Sequence, residues 1–265
     1  GLSGGGVGAV ANDCHVVIWS QPAEPLYKSA GVLWKVIVPM VSSPMLGFAA
    51  GFLMMGLLFF IISMMARSGG WLARAARPRW VNGFFGKAQI ASAAGMGFAH
   101  GMNDAQKTMG IVALTLVSAQ GAGTLDVLPG WLAFLHPSDE ALASGDIDTW
   151  IKVTCALVMA AGTAAGGWRI IKTLGHKLVK LHPINGFAAE TSAASVILAA
   201  SHLGIPVSTT HNISAAIMGV GTAKRLNAIR WSVVHKMIWA WILTIPMSGA
   251  IAYALFRLMR NMGWA

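Results

Sequence analysis

Residues 97–112, GFAHGMNDAQKTMGIV, place a histidine, an asparagine, an aspartate, a glutamine and a lysine within eight residues of an otherwise apolar run. On a helix, His100, Asn103, Asp104, Lys107 and Thr108 fall at i, i+3, i+4, i+7 and i+8, which is one face. Apolar sequence resumes with Ile111, Val112 and Leu114. A carboxylate at the centre of a membrane helix costs roughly 2.5–3.5 kcal/mol, so it faces a cavity, pairs with a cation or handles ions. Lys107, one turn on, would make Asp104 a simple ion pair. Asn103 and Thr108 on the same face exceed what such a pair needs. The stretch is also rich in glycine, at 95, 97, 101 and 110. Gly97 and Gly101, four apart, would let a second helix approach closely. Equally, they would mark a break that frees backbone groups for ligands.

A second constellation lies in residues 185–221, NGFAAETSAASVILAASHLGIPVSTTHNISAAIMGVG. Glu190 and Thr191 open a helix of small residues, with Ala194 and Ser195 on their face. That helix stops at HLGIP, and Pro206 favours the start of the next. Ser208, Thr209, Thr210 and His211 then lead into an apolar helix that ends at Gly219. Ser208 is placed as its N-cap. Three hydroxyls and free N–H groups at the positive end of a helix dipole form an anion site that needs no net positive charge. His100 and His211 match no zinc spacing and have no thiolate beside them, so no metal site is read here. Cys14 and Cys155 form no motif.

These groups must be held by membrane helices. The 265 residues are 55% hydrophobic and only 11% charged, with a mean hydropathy of +0.63. Soluble domains carry about 25% charged residues. Residues 36–66, 88–119, 150–168, 186–222 (interrupted at Pro206) and 237–256 are apolar stretches of the length a bilayer crossing requires, about 20 residues as a helix. The runs are continuous rather than alternating, which excludes a β-barrel. The fold class is all-α, a polytopic membrane protein. Of the nine acids, only Asp104 and Glu190 lie inside apolar segments.

The net charge of +10 is not a nucleic-acid footprint, because it sits between the apolar stretches. A 67–87 loop holds Arg67, Arg74, Arg77, Arg79 and Lys87 without an acid. Residues 169–182 and 223–236 are likewise basic. The 120–149 loop is the reverse, with Asp126, Asp139, Glu140, Asp146 and Asp148 and no Lys or Arg. Basic loops stay cytoplasmic, which puts 67–87 inside, 120–149 outside and the C-terminus outside. Residues 186–222 then begin and end inside, as a re-entrant hairpin or an even number of passes would.

The two ends of the chain share a pattern. Each passes from a Gly-Val-Gly element through a polar linker to a helix with Trp and Lys, then Pro-Met-x-Gly at 44–47 and at 246–249. The two copies would run in opposite directions, and inverted repeats place transporter sites at the repeat interface near the midplane. The chain would then begin after most of a first repeat.

With these residues in view, the two motifs resemble the second-repeat signatures of the inorganic phosphate transporter (PiT) family, in the right order and over nearly all of the chain. Residues 1–10 resemble the tail of a first-repeat hairpin, so a missing N-terminal repeat is an expected partner. The resemblance implies an inverted-repeat transporter fold with a re-entrant helical hairpin. It implies a cation-coupled symporter that carries inorganic phosphate across the cytoplasmic membrane, and no enzyme. Carried over position by position, Asn103 with Ser208, Thr209 and Thr210 would bind phosphate. Asp104 and Glu190 would serve the coupling ion, with Gln106, Lys107, Thr108 and His211 supporting. The coupling ion is H+ or Na+, with no other cofactor. Lys107 would neutralise Asp104 and weaken it as a sodium ligand, which favours protons, with phosphate taken free or as a metal complex. The bilayer is the other expected partner, and a homo-oligomer is compatible with the family.

Other classes remain to be weighed. A sulfate or related anion permease would present the same hydroxyls and dipole. An intramembrane hydrolase could use Ser208 and His211, three apart on a helix, but would also need an oxyanion hole, and no G-x-S-x-G elbow is present. A structural or assembly protein would leave Asp104 and Glu190 unexplained.

Overall fold

The computed structural model describes residues 20, 31, 33–126, 129–172, 182–205, 207–224, 229 and 231–262. Residues 1–10, Pro206, Arg225, Arg230 and most of the basic 169–182 segment lie outside that set. Among the described residues the chain is all-α, and it divides into two compact units, residues 1–96 with 173–265 and residues 97–172.

The first unit is organised by α1, Val38–Arg67, which follows a π-helical turn, Leu33–Ile37. Its buried residues are Pro39, Ser43, Gly47, Gly51 and Met55, one every four positions. That spacing gives a single narrow stripe. The remaining faces expose Met45, Leu46, Leu53, Leu57 and Phe60. A soluble helix would bury these, whereas a membrane helix turns them to lipid.

The stripe packs on α7, Thr209–Lys224, and both helices touch α6, Pro183–His202. Contact between α1 and α7 is backbone to backbone. A Cβ at Gly51 would collide with the Ala216 carbonyl, and one at Gly219 with the Phe48 carbonyl. Small residues are what allow helices to approach this far, where lipid gives no hydrophobic drive for association. Met55, Ala188, Ala189, Ile217 and Val220 form the core, joined by Val234 of α8, Trp231–Asn261.

The turn from α6 into α7 follows from local chemistry. Gly204 adopts φ +64°, and the N–H groups of Gly204 and Ile205 donate to the carbonyls of Ser201 (3.1 Å) and Ala200 (2.9 Å). This is a Schellman ending, and only glycine takes that φ without strain. At the other side Ser208 caps α7, as expected, its Oγ accepting the His211 N–H at 3.4 Å. With 16 residues, α7 rises about 24 Å, less than the roughly 30 Å of a hydrocarbon core. It is dimensioned as half of a hairpin rather than as a crossing.

The segment expected as a 67–87 loop is largely helical. A short α2, Gly70–Ala75, is followed by α3, Pro78–Gly121, a single 44-residue helix. Pro78 opens it, where a missing N–H does no harm. Lys87 therefore lies on a helix, not in a linker.

The second unit holds the later part of α3, a 3-10 turn at Gly130–Leu135, α4 at Asp139–Ser144 and α5 at Thr149–Lys172. The expected acidic loop is thus partly ordered into helix. Asp139 and Glu140 occupy the first turn of α4, where the helix dipole favours them. Asp148 accepts the Ser138 hydroxyl at 2.5 Å, and Ser138 in turn caps α4.

Among the described residues, three helical stretches are long and apolar enough to cross a membrane: Val38–Arg67, Thr149–Trp168 and Val234–Asn261. The other two expected stretches do not meet that measure. In α3 the His-Asn-Asp-Gln-Lys cluster and the glycines dilute the hydropathy. The 186–222 stretch is cut into two shorter helices rich in small and polar residues.

Candidate functional site

In the second unit, α3 carries the first constellation. Lys107 Nζ lies 3.0 Å from Asp104 Oδ1, and Asn103 Nδ2 donates to the same oxygen at 3.1 Å. His100 Nδ1 lies 3.2 Å from Asp104 Oδ2. Both carboxylate oxygens are therefore engaged by residues of the same helix, within one turn. Asn103 is 4% exposed, while Gln106 and Thr108 are exposed. Thr108 shares the predicted face but does not join the cluster. The helix is unbroken, and a Cβ at Gly95, Gly97, Gly101 or Gly110 would meet nothing within 4 Å among the described residues. Neither the close approach nor the break expected at Gly97–Gly101 is found there.

In the first unit, Glu190 of α6 is held by the first third of α3. The Ser92 hydroxyl donates to Glu190 Oε2 at 2.5 Å, and Gln89 is a second hydrogen-bond partner. Gln89 also lies against Gly186, where any Cβ would strike its amide. Phe85 is buried and packs on Phe187, ring centroids 5.3 Å apart, which fixes the register between α3 and α6. Ser195, expected beside Glu190, is exposed and donates to its own helix at Thr191 O. Neither Gln89 nor Ser92 is among the candidates the sequence offers. Their spacing of three is the signal, hidden because each is a common polar residue near a membrane boundary.

The hairpin tip occupies the same unit. Ser208 is half-buried, Thr209 4% exposed and Thr210 exposed. The Ser208 carbonyl accepts the Ser43 hydroxyl of α1 at 3.4 Å. The residue that fixes the tip is Asn212, fully buried, whose Nδ2 donates to the Ala193 carbonyl at 2.9 Å. Its Oδ1 sits against Gly47. Ala193 lies one turn beyond Glu190 on α6, so this bond seats the first turn of α7 on the middle of α6. The His211 ring stacks on Trp241 of α8, centroids 4.3 Å apart. What this unit can do chemically is accept an anion at a helix N-terminus, while its carboxylate is held separately by α3.

Comparison with known proteins places this geometry in context. Residues 2–252 match the phosphate transporter family. The chain is 36% identical over 228 residues to a probable low-affinity inorganic phosphate transporter of Bacillus subtilis (strain 168), covering 85% of this chain and 60% of that protein. It is 35% identical over 247 residues to a protein of the same description from Rhizobium meliloti (strain 1021), covering 92% and 66%. A solved structure described as the sodium-dependent phosphate transporter aligns over 98% of this chain and 64% of that one, with a TM-score of 0.56 at 20% identity. At that identity the likeness is one of fold. The chain spans 60% and 66% of the length of the two bacterial relatives.

Proposed function

The chain belongs to the phosphate transporter family, and from that premise we propose that it forms the hairpin-bearing part of an inorganic phosphate symporter of the cytoplasmic membrane. Phosphate would be received at the N-terminus of α7 by Ser208, Thr209 and Thr210; Asn103, in the other unit, keeps the role that the family resemblance implies for it. The observation that carries this reading is the Asn212–Ala193 hydrogen bond, which fixes the first turn of α7, with its Ser208, Thr209 and Thr210 hydroxyls, against α6. A helix N-terminus stabilises an anion without a fixed positive charge, so the site can release its cargo.

Glu190 and Asp104 would carry the coupling, and the coupling ion would be a proton. Support for the proton comes from Asp104. Lys107 and Asn103 occupy Oδ1 and His100 occupies Oδ2, which leaves little coordination for sodium. Free phosphate or its metal complex would be the cargo, the basic segments would face the cytoplasm and the C-terminus the outside. Sulfate remains the competing cargo, because hydroxyls and a helix dipole serve either anion. The hydrolase reading loses support. Ser208 Oγ is spent as a cap on the His211 N–H, and the imidazole stacks on Trp241.

The test is radiolabelled phosphate uptake into proteoliposomes by the protein expressed from its complete gene. A pH gradient is imposed in one set and a sodium gradient in the other. Uptake driven by the pH gradient, inhibited by arsenate but not molybdate, and lost in Glu190→Gln and Asp104→Asn is the expected result. Folded protein that moves no phosphate under either gradient would overturn the proposal.

A further inference from the structure

The start of α3 carries a surface that lies outside the site proposed above. Arg79, Gly83 and Lys87 follow one another at i, i+4 and i+8 and so form a row along the helix. Trp80 and Phe84 stand in the adjacent row. These five residues line a groove. Gly83 is its floor, where an added Cβ would meet nothing within 4 Å among the described residues. Trp80 is 68% exposed and Phe84 66%, although the neighbouring Phe85 is buried against α6. The helix therefore has an inward aromatic for packing and an outward aromatic pair that stays largely exposed, Phe84 meeting only the edge of Phe85 at 5.2 Å between ring centroids among the described residues.

Charge and position narrow what covers this groove. No acid occurs in residues 67–87, which add Arg67, Arg74 and Arg77 to the same sign. The segment follows directly on α1, a largely apolar helix of 30 residues that ends at Arg67. A crossing needs about 20 residues, and α3 has 44. Its first turns are thus surplus to any crossing and belong at the boundary where tryptophan and basic residues gather. Trp71 on α2, 74% exposed, belongs to the same basic segment. A soluble anion would be met by the cations but would gain nothing from Trp80 and Phe84. A lipid with a charged phosphate and an acyl chain matches both rows.

We propose that the groove formed by Arg79, Trp80, Gly83, Phe84 and Lys87 is a docking site for an anionic phospholipid. Arg79 and Lys87 hold the headgroup phosphate, and Trp80 and Phe84 cover the first carbons of an acyl chain. Basic residues at a membrane surface attract anionic lipid through charge, and the arginine fork suits a phosphate oxygen pair.

The experiment is native mass spectrometry of the full-length protein in detergent, titrated with dioleoylphosphatidylglycerol or dioleoylphosphatidylcholine. The wild type should retain the phosphatidylglycerol preferentially. Arg79→Gln with Lys87→Gln should weaken that retention roughly 30-fold, and Trp80→Ala with Phe84→Ala should weaken it as well. Arg79→Lys with Lys87→Arg, which keeps both charges and controls for folding, should retain it. Lys152→Gln, which removes an exposed charge elsewhere, should change nothing. Equal retention of the two lipids by the wild type would overturn the proposal, as would undiminished phosphatidylglycerol binding after loss of both cations. Displacement of the lipid by millimolar inorganic phosphate would assign the groove to the free anion and overturn the lipid assignment. A defect in uptake with lipid binding intact would concern the transport reading alone.

Discussion

Ser92 on α3 donates its hydroxyl to Glu190 on α6 across 2.5 Å. The contact joins two residues 98 positions apart, inside a protein with very few charges to spare. It gives the buried side of Glu190 a fixed orientation, with Gln89 as the second partner. On the proposed coupling role for Glu190, such neighbours would hold its geometry without neutralising it.

Ser92→Ala should therefore reduce phosphate uptake while Ser92→Thr keeps most of it. A hydrogen bond to a charged group is worth about 1.5–3 kcal/mol. The expected loss is roughly ten- to a hundred-fold in the apparent affinity of the coupling step. The measurement is uptake as a function of the driving ion. Wild-type behaviour in Ser92→Ala would show that the hydroxyl only fills space.

Asn212 is the pin of the hairpin, and two substitutions separate its roles. The Ala193 carbonyl lies in mid-helix and retains a helical partner, so Asn212→Ala should cost only about 1 kcal/mol for the lost hydrogen bond, plus the small void. Asn212→Asp keeps the shape but buries an unpaired carboxylate against a carbonyl oxygen, a change that costs about 3–5 kcal/mol when a buried charge lacks its partner. Thermal unfolding in detergent should rank wild type, then Ala, then Asp. An Asp variant as stable as the Ala variant would mean that Asn212 is not the pin.

Much of this was legible in the residues because it rests on local chemistry. The Gly-Ile-Pro stop, the Ser208 cap and the Asp104–Lys107 pair depend on neighbours within one turn, and sequence displays such neighbours directly. Ser92, Gln89 and Asn212 were not legible. Their partners are distant in the chain, and nothing local marks Ser92 off from any other serine in a small-residue helix. The glycines divide differently from their spacing: among the described residues Gly97 and Gly101 meet no second helix, while Gly47, Gly51 and Gly219 meet another backbone. Spacing alone says that a contact is possible, not that a helix arrives. The basic 67–87 segment read as a loop because charge dominated its pattern. Pro78 at a helix start and the apolar residues after it were the signal that α3 had already begun.

The α1–α7 contact gives a stability prediction. A Cβ at Gly51 or Gly219 would collide with a carbonyl oxygen on the other helix, and backbone cannot step aside as a flexible side chain can. Gly51→Ala and Gly219→Ala should each destabilise by about 1–3 kcal/mol through overpacking. Gly56, on α1 but with nothing within 4 Å of its Cβ position among the described residues, is the control. Gly56→Ala should be neutral or slightly stabilising, since alanine is the better helix former by about 1 kcal/mol. Three equal effects would mean that helix propensity, not the close approach, sets the response.

On the proposed reading, Lys107 selects the ion that Asp104 serves. Its ammonium lies 3.0 Å from Oδ1, on the oxygen that Asn103 also reaches, while His100 faces Oδ2. Replacing it by an uncharged residue of similar length removes the fixed cation and leaves the amide and imidazole in place. In Lys107→Gln the carboxylate should recover capacity for a hard cation, since oxygen donors are what such ions prefer. Uptake driven by a pH gradient should fall, and stimulation by a sodium gradient should appear or increase several-fold, roughly what about 1 kcal/mol of lost pairing allows. The magnitude is modest because the pair is one-third exposed and its charges are partly screened. Lys107→Arg, which keeps the charge, should resemble the wild type under both gradients. If Lys107→Gln loses uptake under both gradients while Lys107→Arg keeps it, the lysine acts on phosphate itself rather than on the choice of coupling ion, and the role of Asp104 would have to be reassigned with it.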